Sequence, residues 1–454
     1  MEKKSRLKKM TKPLVNIIGA GLAGSEAAWQ AANHGCQVRL FEMRPKKMTA
    51  AHFTGNCAEL VCSNSLKSNE IDNACGLLKA EMRCFDSLII SSADRNRVPA
   101  GGALAVDREV FSLDVTSKLA NHENIEIIAA EVSELEQLLS ETTIIASGPL
   151  TSDLLAAQIK TLCGAELMYF YDAAAPIIEY ESIDMSIAFA ASRYGRGEAD
   201  YINLPMDKEQ YDLFYQQLID SEKVTLHKFE DKILFEGCMP IEDMAGRGYD
   251  TIRFGPLKPV GLINPHTGRE EFAVVQLRQD NFAATLYNMV GFQTNLKWSE
   301  QKRVFRLIPG LANAEFIRYG VMHRNTFINS PKIILPTLNM QSNPNIYFAG
   351  QITGVEGYVE SAASGMIAGI NAARLAHGQS QLTFPLQTVL GSLCAYITTV
   401  NKHFQPMNAN FGIVPNAEKK IRNKKERYAY YAERSLMILQ DFMEKENVCN
   451  NQST

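Results

Sequence analysis

The segment LVNIIGAGLAGSEAAW, residues 14–29, constrains the fold of this chain more than any other. A mainly apolar run, Leu14–Ile18, leads straight into Gly19, Ala20, Gly21, Leu22, Ala23 and Gly24, and Ser25 to Asn33 reads as a helix. Gln37–Phe41 follows as a second strand ending at Glu42, which completes a strand–helix–strand unit of about 30 residues. In such a unit Gly19 permits the tight turn, Gly21 lets the backbone approach a pyrophosphate, and Gly24 allows close helix–strand packing. The amides that open the helix attract phosphate charge. Glu42 is placed to accept hydrogen bonds from a ribose diol. A lone glycine fingerprint marks only a tight turn. Strand, loop, helix, strand and acid in this order mark a nucleotide site.

The same texture returns late in the chain. The strand Ile346–Gly350 (IYFAG) opens a second glycine-rich turn, FAGQITGVEGYVESAASG, followed by a helix of small residues from Ser361 to Ala376. Two such turns favour FAD over NAD, with Gly350, Gln351 and Gly354 at the flavin end. The fold class expected is therefore α/β: a Rossmann-like FAD-binding domain interrupted by an inserted α+β domain. Residues 1–12 form a basic, mobile tail, 13–152 the first FAD-domain segment, 153–335 the inserted substrate or folate domain, 336–414 the second FAD-domain segment, and 415–454 a basic C-terminal helix and tail. Within the first segment, Asp107–Ala120 reads as a helix, Ile125–Ala130 and Thr142–Ala146 as strands, and Arg44–Asn73 as loop. The insertion carries strand-like Ala273–Leu277 and helical Glu209–Leu218. The last helix is expected over Ala417–Glu446, with Lys419, Lys420, Arg422, Lys424, Lys425 and Arg427 in its first half.

Composition narrows the setting. Hydrophobic residues at 46% and charged residues at 21% are those of an ordinary globular protein. No apolar run reaches the length of a membrane span, so no membrane partner is expected. Nine cysteines without CxxC or zinc-ligand spacing suggest reduced thiols in the cytoplasm and no metal site. A net charge of −4 supplies no global pull on nucleic acid, so an RNA substrate needs local basic patches.

Two thiols stand out as candidate nucleophiles, with a small buried apolar side chain as the alternative reading of each. Cys62 lies in AELVCSNSLKSN, among turn-forming residues with Lys67 nearby, and a helix N-terminus or a cation makes a thiol more nucleophilic. Cys238 lies in LFEGCMPIEDMA, in a polar turn between apolar runs. Blocks that mix glycine, amide, arginine and aromatic residues suit flat heterocycles and phosphates. They nominate Arg278, Lys297, Arg303, His323, Arg324 and Asn325 for substrate, either RNA or folate. The basic C-terminal helix is either a solvated face or an RNA-phosphate contact.

These blocks resemble the TrmFO family, the folate- and FAD-dependent tRNA uracil-5-methyltransferases. The resemblance runs through GAGLAGSEAAW, EMRP, ELVCSNSL, VPAGGALAVDR, YFYDAAAPI, FEGCMP, AVVQLRQD, MHRNTFINSP, AGQITGVEGYVESAASG and FQPMNANFG, over about residues 13–414. It implies formation of 5-methyluridine from the T-loop uridine at position 54 of tRNA. 5,10-Methylenetetrahydrofolate supplies the carbon, and NADPH or NADH regenerates reduced flavin. The family's two functional cysteines fall at Cys62 and Cys238, with Cys238 favoured as the nucleophile at uracil C6 and Cys62 as acid/base. The sequence departs from the family pattern at Ala50 and Phe53, where proline and histidine are more usual, and in KSNEIDNACG. Those departures bear on the RNA target. The same chemistry on a ribosomal RNA uridine is the alternative, and an FAD-dependent small-molecule oxidoreductase is a third reading. Oligomeric state does not follow from the sequence.

Overall fold

The computed structural model describes residues 12–49, 51–164, 168–195, 198–224, 239–401 and 404–448. Leu14–Ile18 is the middle strand of a five-stranded parallel sheet, in the order Ile346–Phe348, Thr142–Ile145, Leu14–Ile18, Gln37–Glu42, Ile125–Ala129. Val15 and Ile17 have no exposed surface, as a strand covered on both faces demands. The strand from residue 346 lies beside the one from residue 142, so the chain leaves this sheet and returns to it. The helices Leu22–Asn33 and Tyr358–Ala376 seal that return. A Cβ added at Gly365 would stand 2.1 Å from the Ala23 carbonyl oxygen, and one at Gly369 2.5 Å from that of Ala27. Only glycine allows the two backbones so close.

Between these segments the chain builds a six-stranded antiparallel sheet, in the order Phe189–Ala190, Tyr201–Met206, Ala273–Gln279, Leu286–Met289, Ile177–Glu179, Phe316–Arg318. Its own core includes Tyr211, Phe214, Phe292 and Phe305. The helix Lys208–Ile219 covers it, opened by a capping box between Asp207 and Gln210. The two crossings between the units run side by side as an antiparallel pair, Met168–Ala173 with Met322–Phe327. A small sheet of Ser65–Ser68, Ala103–Val106 and Arg97–Val98 follows the Cys62 turn.

Most element bounds shift from expectation by a residue or two, and those of three helices and one loop have a clear local cause. The first helix begins at Leu22 rather than Ser25, because Gly21 already takes the capping position. The late helix begins at Tyr358 rather than Ser361, behind Gly357 at φ +122°. The last helix begins at Lys424, not Ala417. The Asn423 side chain accepts from the amides of Lys425 and Glu426 and fixes the start there, which leaves Lys419, Lys420 and Arg422 in the preceding turn. Arg44–Asn73 is loop except for the strand Ser65–Ser68. The C-terminal helices are tied to the first domain through Glu81, which accepts from the amides of Val389 and Leu390, both at 2.8 Å, and from the Ser435 hydroxyl. Among the described residues no helix is long and apolar enough to cross a membrane, and no cluster of metal-ligating side chains occurs.

Candidate active site

The glycine loop divides its work among three positions. At Gly19 φ is +99°, and a Cβ would sit 2.6 Å from the Ala146 carbonyl oxygen. A Cβ at Gly24 would sit 1.7 Å from the Gly19 oxygen. At Gly21 a Cβ would meet nothing within 4 Å. The first two glycines are required by the protein's own packing. The third faces a cavity that it lines with Leu22, Ala23, Glu42, Gly350 and Gln351. No side chain caps the helix that starts at Leu22, so its first-turn amides are left for a ligand.

Glu42 lines the same cavity. Its Oε2 accepts from the Ala20 amide at 2.9 Å, and its Oε1 from the Arg44 amide and Nε, both at 3.0 Å. Burial works against the charge, but the bonds from Arg44 outweigh it and hold the carboxyl below its ordinary value. Ala20 thus acts through Glu42. Gly354 does not line this cavity: a side chain there would collide with the Phe404 ring at 2.5 Å.

Cys62 lines an adjoining cavity of about 230 Å³ with Lys67, Asn325, Gln351, Tyr358 and Glu360. The two cavities share Val61, Pro149, Leu150, Gln351 and Tyr358 as a common wall. Cys62 Sγ is 2.9 Å from the Tyr358 hydroxyl, which also accepts from the amides of Cys62 at 2.8 Å and Ser63 at 3.3 Å. A phenol has one proton and two acceptor positions. With both acceptor positions taken by amides, the proton points to the sulfur. Burial, and then Cys62 beside it, pushes the Tyr358 phenol well above its ordinary value, so it keeps that proton.

Lys67 is not the partner of the thiol. Its Nζ pairs with Glu360 Oε1 at 2.9 Å. Burial opposes the charge on Lys67, but Glu360 outweighs it and raises the ammonium above its ordinary value. Glu360 is fully buried, and its Oε2 has no partner among the described residues.

The other nominated residues separate. Asn325 lines the Cys62 cavity, with a buried Nδ2 that has no partner among the described residues. Arg278 does not reach the cavity. It is buried and donates from Nε to Asn64 at 2.9 Å and from Nη2 to the Ser63 hydroxyl at 2.7 Å, which pins the turn that carries Cys62. Arg108 does similar work from the other side: it pairs with Asp280 at 3.0 Å and donates to the Leu60 carbonyl at 3.2 Å. Lys297 pairs with Glu222 and Arg303 with Glu300, on the surface and away from both cavities. His323 and Arg324 lie in the strand Met322–Phe327, and their side chains fall outside the description. Cys238 lies outside the described residues. The chain after it is tethered near the site, since the Ile241 amide donates at 2.7 Å to the carbonyl of Gln293, a residue lining the Cys62 cavity.

Sequence reading missed Tyr358, Arg108 and Glu360 as site residues. The available signal was the tyrosine directly after the second glycine turn, at the start of a helix.

A parallel dinucleotide sheet with a second glycine turn and an inserted antiparallel sheet defines a class of Rossmann-like proteins. A family model for glucose inhibited division protein A matches residues 14–380. Aquifex aeolicus GidA has this fold, with a TM-score of 0.65 at 16% identity over 96% of this chain and 76% of that one. Sequence resolves the class further: the chain belongs to the TrmFO family of methylenetetrahydrofolate–tRNA-(uracil-5-)-methyltransferases. The Natranaerobius thermophilus member is 60% identical over 432 residues, covering 95% of this chain and 99% of that protein. The Bacillus subtilis member is 58% identical over 432 residues, with the same coverage.

Proposed function

We propose that this chain makes 5-methyluridine in tRNA, at the T-loop uridine, using 5,10-methylenetetrahydrofolate as carbon donor, FAD as cofactor and NADPH or NADH as reductant, in the cytoplasm. The observation that carries the reading is the Cys62 thiol 2.9 Å from the hydroxyl of Tyr358, a residue of the wall that the Cys62 cavity shares with the dinucleotide-type cavity. The residues present fit FAD. Gly21 leaves space where a pyrophosphate needs it, the uncapped amides from Leu22 to Gly24 favour its charge, and the ionised Glu42 suits a ribose diol. When bound, the flavin supplies electrons and relays the one-carbon unit.

The protein's part is to make uracil C5 reactive and to move a proton. C5 is a weak nucleophile until a thiolate adds at C6. Cys238 is assigned that addition, which breaks the C5–C6 double bond and pushes its electrons into an enolate. The carbon unit then bonds to C5, which carries one hydrogen too many for an aromatic base. Cys62 takes that proton. Tyr358 orients and solvates the sulfur as the charge shifts. Loss of the C6–sulfur bond restores the ring and frees Cys238, and the two electrons that a bound reduced flavin would supply would turn the added carbon into the methyl as its bond to the carrier breaks. The base must leave its stack to reach this wall.

Purified protein is incubated with NADPH, labelled methylenetetrahydrofolate and either unmodified tRNA or unmodified ribosomal RNA, and 5-methyluridine is mapped. Label in the T-loop is the expected result, and label in ribosomal RNA alone overturns the target. Trapping with 5-fluorouridine RNA separates the thiols: Cys238→Ala abolishes the covalent adduct and Cys62→Ala keeps it.

A further inference from the structure

On the far side of the turn that carries Cys62 lies a further cleft, of about 680 Å³, between the first domain and the antiparallel sheet. Arg108 forms the partition. It lines this cleft while donating to the carbonyls of Leu60, which faces the cleft, and Val61, which faces the Cys62 cavity.

The cleft is built from aromatic rings and guanidinium groups. Phe316 stacks on Tyr319 at 5.6 Å and 16°, and Tyr319 on Trp298 at 5.6 Å and 15°. The ladder ends in Trp298, which is 60% exposed. Arg318 lies 4.1 Å over the ring of Phe53, itself 61% exposed. Nη1 of Arg318 and Nη2 of Arg108 are buried with no partner among the described residues. Exposed rings in a concave site are costly to leave in water unless something flat covers them. Glu59, Asp107, Glu109 and Asp280 also line the cleft and outnumber the two arginines. A phosphate is therefore disfavoured inside, and a neutral heterocycle with carbonyl acceptors is favoured.

We propose that this cleft binds a base of the RNA strand next to the reacting uridine, stacked on Trp298, with Arg318 and Phe53 selecting which base is accepted. The proposal rests on the tRNA methyltransferase reading, since it needs a strand with one base at Cys62 and a neighbour beyond Arg108. It gives Phe53, where this chain departs from the family pattern, a place at the RNA.

Trp298 and Trp29 are the two tryptophans of the chain, so in FAD-loaded Trp29→Phe protein Trp298 is the sole indole reporter. That protein is titrated with an unmodified T-arm stem-loop while the labelled RNA's anisotropy reports binding independently. The expected result is quenching of Trp298 that tracks anisotropy. In the Trp29→Phe protein, quenching is followed again with NADPH and with tetrahydrofolate. Trp298→Ala should bind the stem-loop about tenfold more weakly and Trp298→Phe nearly normally. Bound-FAD absorbance of each variant verifies folding. RNA that binds without quenching, or equal affinity in Trp298→Ala, overturns the proposal. So does quenching by NADPH or tetrahydrofolate that RNA competes away, which assigns the cleft to that heterocycle. A wild-type protein that fails to bind or methylate the stem-loop defeats the tRNA reading as well, whereas normal methylation with an unresponsive Trp298 defeats the subsite alone.

Discussion

Tyr358→Phe removes one oxygen atom and separates the thiol's chemistry from its surroundings. The hydroxyl serves three groups: it accepts from the amides of Cys62 and Ser63 and directs its proton to Cys62 Sγ at 2.9 Å. Both residues are half-buried, so water can replace the lost acceptor, and the stability cost stays near ~1 kcal/mol. The sulfur loses more. A hydrogen bond to an ionised group contributes ~1.5–3 kcal/mol, which lowers the thiolate population roughly 10- to 100-fold while the thiol predominates. A more basic thiolate is also more nucleophilic, with a Brønsted slope of about 0.4–0.5, so about half of that loss is offset in logarithmic terms. Alkylation of Cys62 by iodoacetamide at pH 7, followed peptide by peptide by mass spectrometry, should therefore slow roughly 3- to 10-fold. Cys84, exposed at the C-terminal end of the helix Ala74–Arg83, serves as the internal control and should react at its wild-type rate. If Cys62 is alkylated equally fast in both proteins while Cys84 is unchanged, the phenol proton does not serve the sulfur, and the role assigned to Tyr358 is wrong.

Gly21→Ala should fold normally, because its Cβ meets nothing in the protein and φ is −70°, yet lose FAD at least tenfold because the methyl fills the pyrophosphate's approach; equilibrium dialysis against FAD checks both claims. Lys419, Lys420 and Arg422 are exposed around a surface depression of about 890 Å³ with Arg427 and Tyr428. Reversing those three to glutamate should weaken tRNA binding at least tenfold and flatten the salt dependence by one to three counterions, by roughly 0.7–0.9 in slope for each phosphate no longer neutralised; an unchanged slope refutes the role of these cations at the RNA backbone. Burial pushes the Glu81 carboxyl up to about 7 from 4.5, so the folded state holds a proton there that the unfolded chain has released. Stability from this group is present below pH 4.5 and is lost as pH rises through 7. Thermal unfolding of the wild type should rise on acidification from pH 8 toward pH 5.5, and Glu81→Gln should remove that part of the slope.

What the sequence reading captured and what it missed divide along physical lines. The dinucleotide sheet was legible because strand period, glycine spacing and a terminal acid are local, and each is dictated by backbone sterics within a few residues. Gly19 and Gly24 make the tight turn and the close packing that their spacing demands, and Gly21 leaves open space. Helix starts were less legible, because Gly21, Gly357 and Asn423 set them through caps that apolar periodicity does not register. The charged candidates fared worst. Lys297 and Arg303 are cations whose neighbours in space, Glu222 and Glu300, satisfy them at the surface, and Arg278 spends its guanidinium on the backbone turn that it supports. A sequence window cannot tell a cation awaiting a substrate from one already paired.

Cys62 shows the same limit in its sharpest form. Its nomination leaned on Lys67, five residues away, but that ammonium is committed to Glu360, whose charge it offsets in a buried site. A phenol 296 residues further along the chain lies within hydrogen-bond distance of the sulfur. Arg108 and Arg278 also act electrostatically on Cys62, but their hydrogen bonds go to Asp280, Leu60, Asn64 and Ser63. The difference matters for the chemistry. A phenol that keeps its own proton can donate to a thiolate and release that bond when the sulfur is protonated. That exchange suits the proton transfer we propose for Cys62, and it is available because the second glycine turn returns Tyr358 to the wall shared by the two cavities.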